Sequence, residues 1–116
     1  MADQLNNPLT PAVFALLLAL HQGERHGYAL MADVERLTEG TIRLGPGTLY
    51  RSLQRMRVES LVEEIDAPDE TPHDRRAERR RSYRITETGR DAARAEALRL
   101  ALLVRAARQW GLTDDD

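Results

Sequence analysis

The sequence predicts a mainly α fold, α+β in class, with three helices, a two-stranded hairpin and one long terminal helix. Three observations carry that expectation: a nine-residue apolar run from Ala12 to Leu20, apolar residues at helical spacing in later segments, and two short alternating stretches around a charged, proline-containing loop. With 116 residues and 41% hydrophobic content, these elements suffice for one compact unit.

Pro11 opens the first helix, because the N–H it lacks is one that a first turn leaves unbonded anyway; the run ends near His21-Gln22-Gly23. Apolar nearly all round, this helix belongs at the centre of the core. From Gly27 to Leu37, the residues Leu30, Val34 and Leu37 recur at helical spacing, and Gly40 is placed to close this second helix. Thr41 to Leu44 reads as a short extended piece and Gly45 to about Ser60 as the third helix. Leu61 to Asp66 and Arg81 to Thr86 read as strands, the second alternating Tyr83 and Ile85 against Ser82 and Arg84. Between them, Ala67 to Arg80 holds Pro68, Pro72 and many charges, as a solvated loop does. The last helix should run from about Glu87 to Gln109 with Thr86 as its cap, roughly 34 Å at 1.5 Å per residue. This order is that of a winged helix-turn-helix, whose third helix reads DNA. Residues 1–86 are then the DNA-binding part, and residues 87–116 a C-terminal dimerisation helix with an acidic tail.

Composition narrows the function. No cysteine is present, so disulfides and thiolate metal sites are excluded and a reducing cytoplasm is the expected home. The apolar run falls far short of the roughly 20 residues of a membrane span, and no basic residue precedes it as in a signal peptide. There is no cysteine nucleophile, no HExxH, no phosphate-binding glycine loop, and no serine or carboxylate pair that can be set beside a histidine, which argues against an enzyme and against a cofactor. His21 and His26 lack a third ligand of matching spacing, so no metal site is expected.

The net charge of −2 hides a segregation of sign. Thr41 to Val58 carries four arginines and no acid, Glu59 to Asp74 seven acids and no arginine, and Arg75 to Arg84 six arginines against Glu78. Local potential, rather than the total, steers a polyanion. In the third helix Gly45 sits at the cap, Pro46 at the first helical position, and Gly47 presents no side chain where free amides could meet a phosphate. Leu49, Leu53 and Met56, at i, i+4 and i+7, make the buried face. Thr48, Arg51, Gln54 and Arg55 fall on the far side, with Tyr50 and Arg57 on the flanks. Arginine and glutamine can read guanine and adenine edges in a major groove, while Thr, Tyr and Arg can hold phosphates. A merely solvated face would mix signs to gain i,i+4 pairs, and this one does not.

His26-Gly27-Tyr28-Ala29-Leu30, then Pro46-Gly47-Thr48-Leu49-Tyr50 with Leu53, then Arg81-Ser82-Tyr83-Arg84-Ile85-Thr86-Glu87-Thr88-Gly89, resembles the PadR family of bacterial transcriptional regulators over about residues 7 to 108. The resemblance implies a winged-helix repressor that binds operator DNA as a homodimer and is often released by a small molecule. The short tail is similar to the family branch that dimerises through one C-terminal helix. It further implies that Tyr28 lies near the DNA backbone, although His-Gly-Tyr at a helix start also serves as a cap and packing device. Two departures stand out: Glu59-Ser60-Leu61 follows the third helix where a glycine is usual, and the first half of the wing is unusually acidic.

Arg75, Arg76, Arg79, Arg80 and Arg81 crowd the second half of the wing, where backbone contacts would add affinity and salt dependence without sequence choice. On the last helix Ala93, Ala97, Leu100, Val104 and Ala107 form one apolar stripe, and Ala95, Leu98, Leu102 and Ala106 a second nearly opposite. Docking on its own core needs one stripe, so the other is expected to meet a twin copy, which would face two recognition helices toward the half-sites of a pseudo-palindrome. Trp110 closes the apolar content, as interface packing or, with its twin, as the wall of a cavity at the dimer centre for a flat aromatic effector. The leading expectation is thus a sequence-specific repressor of double-stranded DNA. The alternative is a winged-helix module for protein contact that binds DNA weakly and without sequence preference.

Overall fold

The computed structural model describes residues 8–65 and 81–114. Helix α1 (Pro11–His21) begins at Thr10, whose hydroxyl oxygen accepts the Val13 amide at 3.1 Å. A short strand β1 (Arg25–His26) follows, then α2 (Gly27–Leu37), α3 (Pro46–Val58), β2 (Val62–Ile65), β3 (Ser82–Ile85) and α4 (Glu87–Gln109). The sheet order is β1-β3-β2, antiparallel throughout, with Val62 opposite Ile85 and Ile65 opposite Ser82. β1 is an addition to the sequence reading. Two residues carry no period, and this strand exists only because β3 supplies partners, Tyr83 for Arg25 and Ser82 for His26.

The core gathers around α1, whose Leu16, Leu17 and Leu20 are buried with Leu30 of α2, Leu49 and Leu53 of α3 and Val62 of β2. Tyr83 and Ile85 point inward and Arg84 outward, as their alternation requires. Thr41 to Leu44 does not join the sheet. Its path is set by Thr38, whose hydroxyl donates to the Val34 carbonyl at 2.8 Å and accepts the Ile42 amide at 3.1 Å.

Two helices end on left-handed residues that are not glycine. At α3, the Leu61 amide returns to the Met56 carbonyl at 2.8 Å and the Ser60 amide to that of Arg57 at 3.0 Å, with Ser60 at φ 66. Ser60 therefore takes the left-handed conformation that favours glycine. At α2 it is Glu39, at φ 50, that takes this position, and Gly40, expected to close the helix, follows at φ 82. A left-handed L-residue costs roughly 1–2 kcal/mol, part of which glycine returns as unfolded-state entropy. Ser60→Gly should therefore raise stability by about 0.5–1 kcal/mol in thermal or urea unfolding.

α4 starts as expected, with the Thr86 hydroxyl oxygen accepting the Gly89 amide at 2.9 Å. It leans on the core only through its first turns: Gly89, Ala92 and Glu96, at i, i+3 and i+7, are buried. Of the two apolar stripes only the first flanks this docking face, with its Ala93 partly buried against the core. Beyond Glu96 the helix leaves the body of the protein, and Leu98, Leu102 and Leu103 are 64%, 61% and 62% exposed. The same line of positions continues from Glu96 through Leu100, Leu103, Ala107 and Trp110, with no core of its own behind it.

Glu96 is a buried carboxylate in that docking face. It accepts from the Arg99 guanidinium at 2.5 Å and from the Leu9 amide at 3.0 Å, and these two partners hold its carboxyl below the usual carboxylate range. The contact ties the chain entering α1 to α4, 87 residues away.

Candidate nucleic-acid interface

The interface is built from α3, the start of α2 and the sheet edge between them. Leu49, Leu53 and Met56 are buried, so Thr48, Arg51, Gln54 and Arg55 are turned to the surface, all of them exposed. A side chain added at Gly45 or Gly47 would meet nothing within 4 Å. Packing therefore does not require these glycines, and the bare start of α3 can be approached closely from outside, where its free amides carry roughly half a positive charge.

The arginines of the acid-free segment are not equal. Arg43 lies 4.0 Å from Glu35, Arg55 3.6 Å from Glu59 and Arg57 3.8 Å from Glu64, so acids outside the segment reach three of the four. Among the described residues, Arg51 approaches only the Thr48 hydroxyl, at 3.4 Å, and has no ion pair. Sequence proximity is the wrong measure of neutralisation, because the C-cap Glu59 and the strand residue Glu64 fold back beside the helix. Arg51 is thus the cation of α3 most open to an external anion.

Tyr50 leaves the exposed face. Its ring is half-buried against the start of α2: a Cβ at Gly27 would stand 2.9 Å from Tyr50 Cε1 and 3.1 Å from Tyr83 Cε1. Gly27 is required at this three-way junction, which accounts for one of the three letters of His-Gly-Tyr. Burial first, then the charge of Glu64, pushes the Tyr83 hydroxyl up to about 12, so the ring remains neutral at the base of the wing. His26 occupies the N-cap of α2 without capping it through its side chain, and its Nδ1 lies 3.2 Å from Ser82 Oγ. Tyr28, 58% exposed, points out from the first turn of α2.

In the wing, Arg81 pairs with Glu64 at 3.0 Å and Arg84 donates to Glu63 at 3.3 Å, so the acidic first strand pairs with the basic second. Arg75, Arg76, Arg79 and Arg80 lie outside the described residues, as do His73, Pro68 and Pro72. Sequence reading missed the bracing of the helix-turn-helix by Asp33. This buried carboxylate takes two bonds from Arg25, at 2.8 and 2.9 Å, and one from Arg36 at 2.8 Å. The bidentate bond and the charge of Asp33 raise the Arg25 guanidinium further above its already high value. The available signal was an acid in register with Leu30 and Val34 on the core side of α2. Among the described residues no helix is long and apolar enough to cross a membrane, and no cluster of three His, Asp or Glu comes together that could hold a metal.

A three-helix body, a three-stranded sheet with a wing, and an outward third helix with an open N-terminus and a bare arginine define a winged helix-turn-helix DNA-binding protein. Residues 16–95 match the model of the transcriptional regulator PadR-like family, and the chain belongs to that family. Its members are transcription regulators rather than enzymes. They bind DNA and are typically dimeric. Among solved structures, a PadR family transcription regulator from hypervirulent Clostridium difficile superposes with a TM-score of 0.68 at 19% identity, covering 87% of this chain and 98% of that one. A transcriptional regulator from Clostridium thermocellum gives 0.69 at 18% identity, over 86% and 89%. A PadR-like regulator from Bacillus cereus gives 0.66 at 19%, over 84% and 88%. These likenesses are of fold. A curated relative, an uncharacterized 37.1 kDa protein in a Streptomyces fradiae transposon, is 34% identical over 92 residues, 79% of this chain. The chain spans 24% of the length of that relative.

Proposed function

We propose that this regulator is a cytoplasmic repressor that binds a pseudo-palindromic operator as a homodimer and is released by a small planar aromatic ligand. Residues 1–86 carry the DNA contacts and residues 87–116 the pairing. Arg51 and Gln54 are the base readers, with Thr48, Gly47, Arg55 and Tyr28 on the flanking phosphates. Arg79, Arg80 and Arg81 extend the backbone contact along the wing, and Tyr50 serves this surface from behind by setting α3 against α2. Ala93, Ala97, Leu98, Leu100, Leu102 and Val104 pair the two copies, and Trp110, 84% exposed, is the aromatic surface on which an effector stacks.

The observation that carries this reading is Arg51: exposed, without a carboxylate partner among the described residues, less than two turns from an open helix N-terminus. The test is fluorescence anisotropy with the duplex upstream of the protein's own gene and with a scrambled duplex, from low to moderate salt. Arg51→Ala should weaken binding to the native duplex by about 5- to 150-fold, corresponding to roughly 1–3 kcal/mol for a lost bidentate contact, and should scarcely alter binding to the scramble. Equal, weak, salt-erased binding to both duplexes, indifferent to Arg51, would favour a protein-contact module instead.

A further inference from the structure

Asp33 and Glu64 are each shared by two arginines. Asp33, with Arg25 and Arg36, ties α2 to β1. Glu64, with Arg57 and Arg81, ties the end of α3 to the foot of the wing. We propose that Arg57 and Arg81 together grip one backbone phosphate at the wall of the DNA groove, and that Glu64 is the positioning residue that holds them over it. The inference rests on the reading of α3 as the helix that enters the groove, and deepens it by naming a contact that joins helix to wing.

Strand parity puts Glu64 at this junction. In the antiparallel ladder Glu64 lies opposite Tyr83, and Glu63 opposite Arg84. Tyr83 is buried and Arg84 exposed, so Glu64 shares the side of the sheet that meets the helices and Glu63 the outer side. The two neighbouring acids therefore act differently. Glu63 pairs with Arg84 at 3.3 Å, one charge against one. Glu64 meets Arg57 at 3.8 Å and Arg81 at 3.0 Å, one negative charge between two positive ones. The Tyr83 hydroxyl, pushed up to about 12 by burial first and then by Glu64, stays neutral and adds no negative charge. The side chains of Arg57 and Arg81 are 44% and 45% exposed against 18% for Glu64, so the acid lies beneath and the cations reach the surface. A guanidinium has five N–H donors, and one edge held by a carboxylate leaves others for a phosphate.

The helix supplies the direction. Arg51, Gln54 and Arg57 follow one another in steps of three residues, and each step turns the side chain by about 60° around the axis. Arg57 thus stands about 120° round from Arg51 and about 9 Å further along, on the flank where Tyr50 packs toward Gly27. With Arg51 and Gln54 over base edges in a major groove about 12 Å wide, Arg57 faces the groove wall, which is phosphate. A contact there fixes how α3 is seated relative to the wing without itself choosing a base.

Anisotropy with the native and scrambled duplexes over a salt series tests both residues. Arg57→Gln, at an exposed position, should weaken the two duplexes alike by about 10-fold at low salt and lower the salt slope by about 1, the loss of one neutralised phosphate. For Glu64, two uncharged replacements separate position from charge. A carboxylate that merely repelled DNA would make Glu64→Ala and Glu64→Gln bind equally more tightly. A positioning residue predicts a split. Glu64→Ala should weaken both duplexes by about 3- to 10-fold and lower the salt slope by about 1. Glu64→Gln, whose amide oxygen still accepts from the guanidinium groups, should stay within about 2-fold of the parent chain. Equal tightening by the two replacements would overturn the role of Glu64. An unchanged salt slope in Arg57→Gln, with Arg51→Ala still damaging, would overturn the phosphate contact alone. Binding indifferent to Arg51 and Arg57 together would remove the groove reading and the inference with it.

Discussion

A chain carrying Leu100→Glu and Val104→Glu is expected to fold, to run as a monomer, and to lose affinity for its operator by about 10²- to 10⁴-fold. The fold should survive because both side chains are exposed, 38% and 48%, on the part of α4 that has left the core. Pairing should not survive, because each dimer would bring four carboxylates into an apolar seam, and an unpaired buried charge costs several kcal/mol. The operator effect follows from bivalency. Two linked recognition helices bind with the second event effectively intramolecular, and that advantage disappears without any change in the DNA-contacting residues. Sedimentation or light scattering, circular dichroism and anisotropy on one preparation separate the three claims. A folded dimer with undiminished binding would show that α4 pairs through other residues or not at all.

Gly89→Ala should be the most damaging single methyl in the protein. A Cβ at Gly89 would stand 2.1 Å from the Leu61 carbonyl oxygen and 2.9 Å from Ile85 Cγ1. The first obstacle is backbone, and it is engaged backbone, since the same carbonyl accepts the Thr86 amide at 3.1 Å just before α4 begins. Overpacking ordinarily costs about 1–3 kcal/mol, and an obstacle that cannot rotate away puts this site at the top of that range or above it. We expect a loss of at least about 3 kcal/mol and a Tm lower by about 10–15 °C. Gly47→Ala is the matching control. With nothing within 4 Å of the new methyl it should leave stability unchanged or raised, and weaken DNA binding instead. A harmless Gly89→Ala would mean that the α4–β2 junction can open at little cost.

The fold was legible where one local rule decides. Pro11, Pro46 and Thr86 mark helix starts, and Leu49, Leu53 and Met56 place the buried side of α3 by spacing alone. It was illegible where the partner is distant. β1 has no local signal and depends on β3, 56 residues on. The roles of Glu96 and Asp33 depend on partners brought from elsewhere in the chain, the Leu9 amide and Arg25. At the candidate interface, the charge pattern of residues 41–58 overstated the free positive charge, because Glu35, Glu59 and Glu64 come back in space to three of the segment's four arginines. Tyr50 was assigned to the flank by angle, and the gap left by Gly27 draws it inward. The wing arginines other than Arg81 and Arg84 are sequence expectations still, lying outside the described residues.

The tether from Glu96 to Leu9 gives α4 the mechanics of a lever. Held to the body at Glu96 and Gly89, the helix cannot tilt without taking the reading head with it. From the exposed stretch around Leu102 to Gly89 is about 20 Å along the helix at 1.5 Å per residue. In the homodimer proposed above, a change of about 10° in the angle at which two such rods cross would displace the two bodies relative to each other by roughly 3–4 Å, close to the ~3.4 Å step from one base pair to the next. A molecule bound near the crossing would therefore need only a small wedge to put the two heads out of step with the helical repeat of DNA.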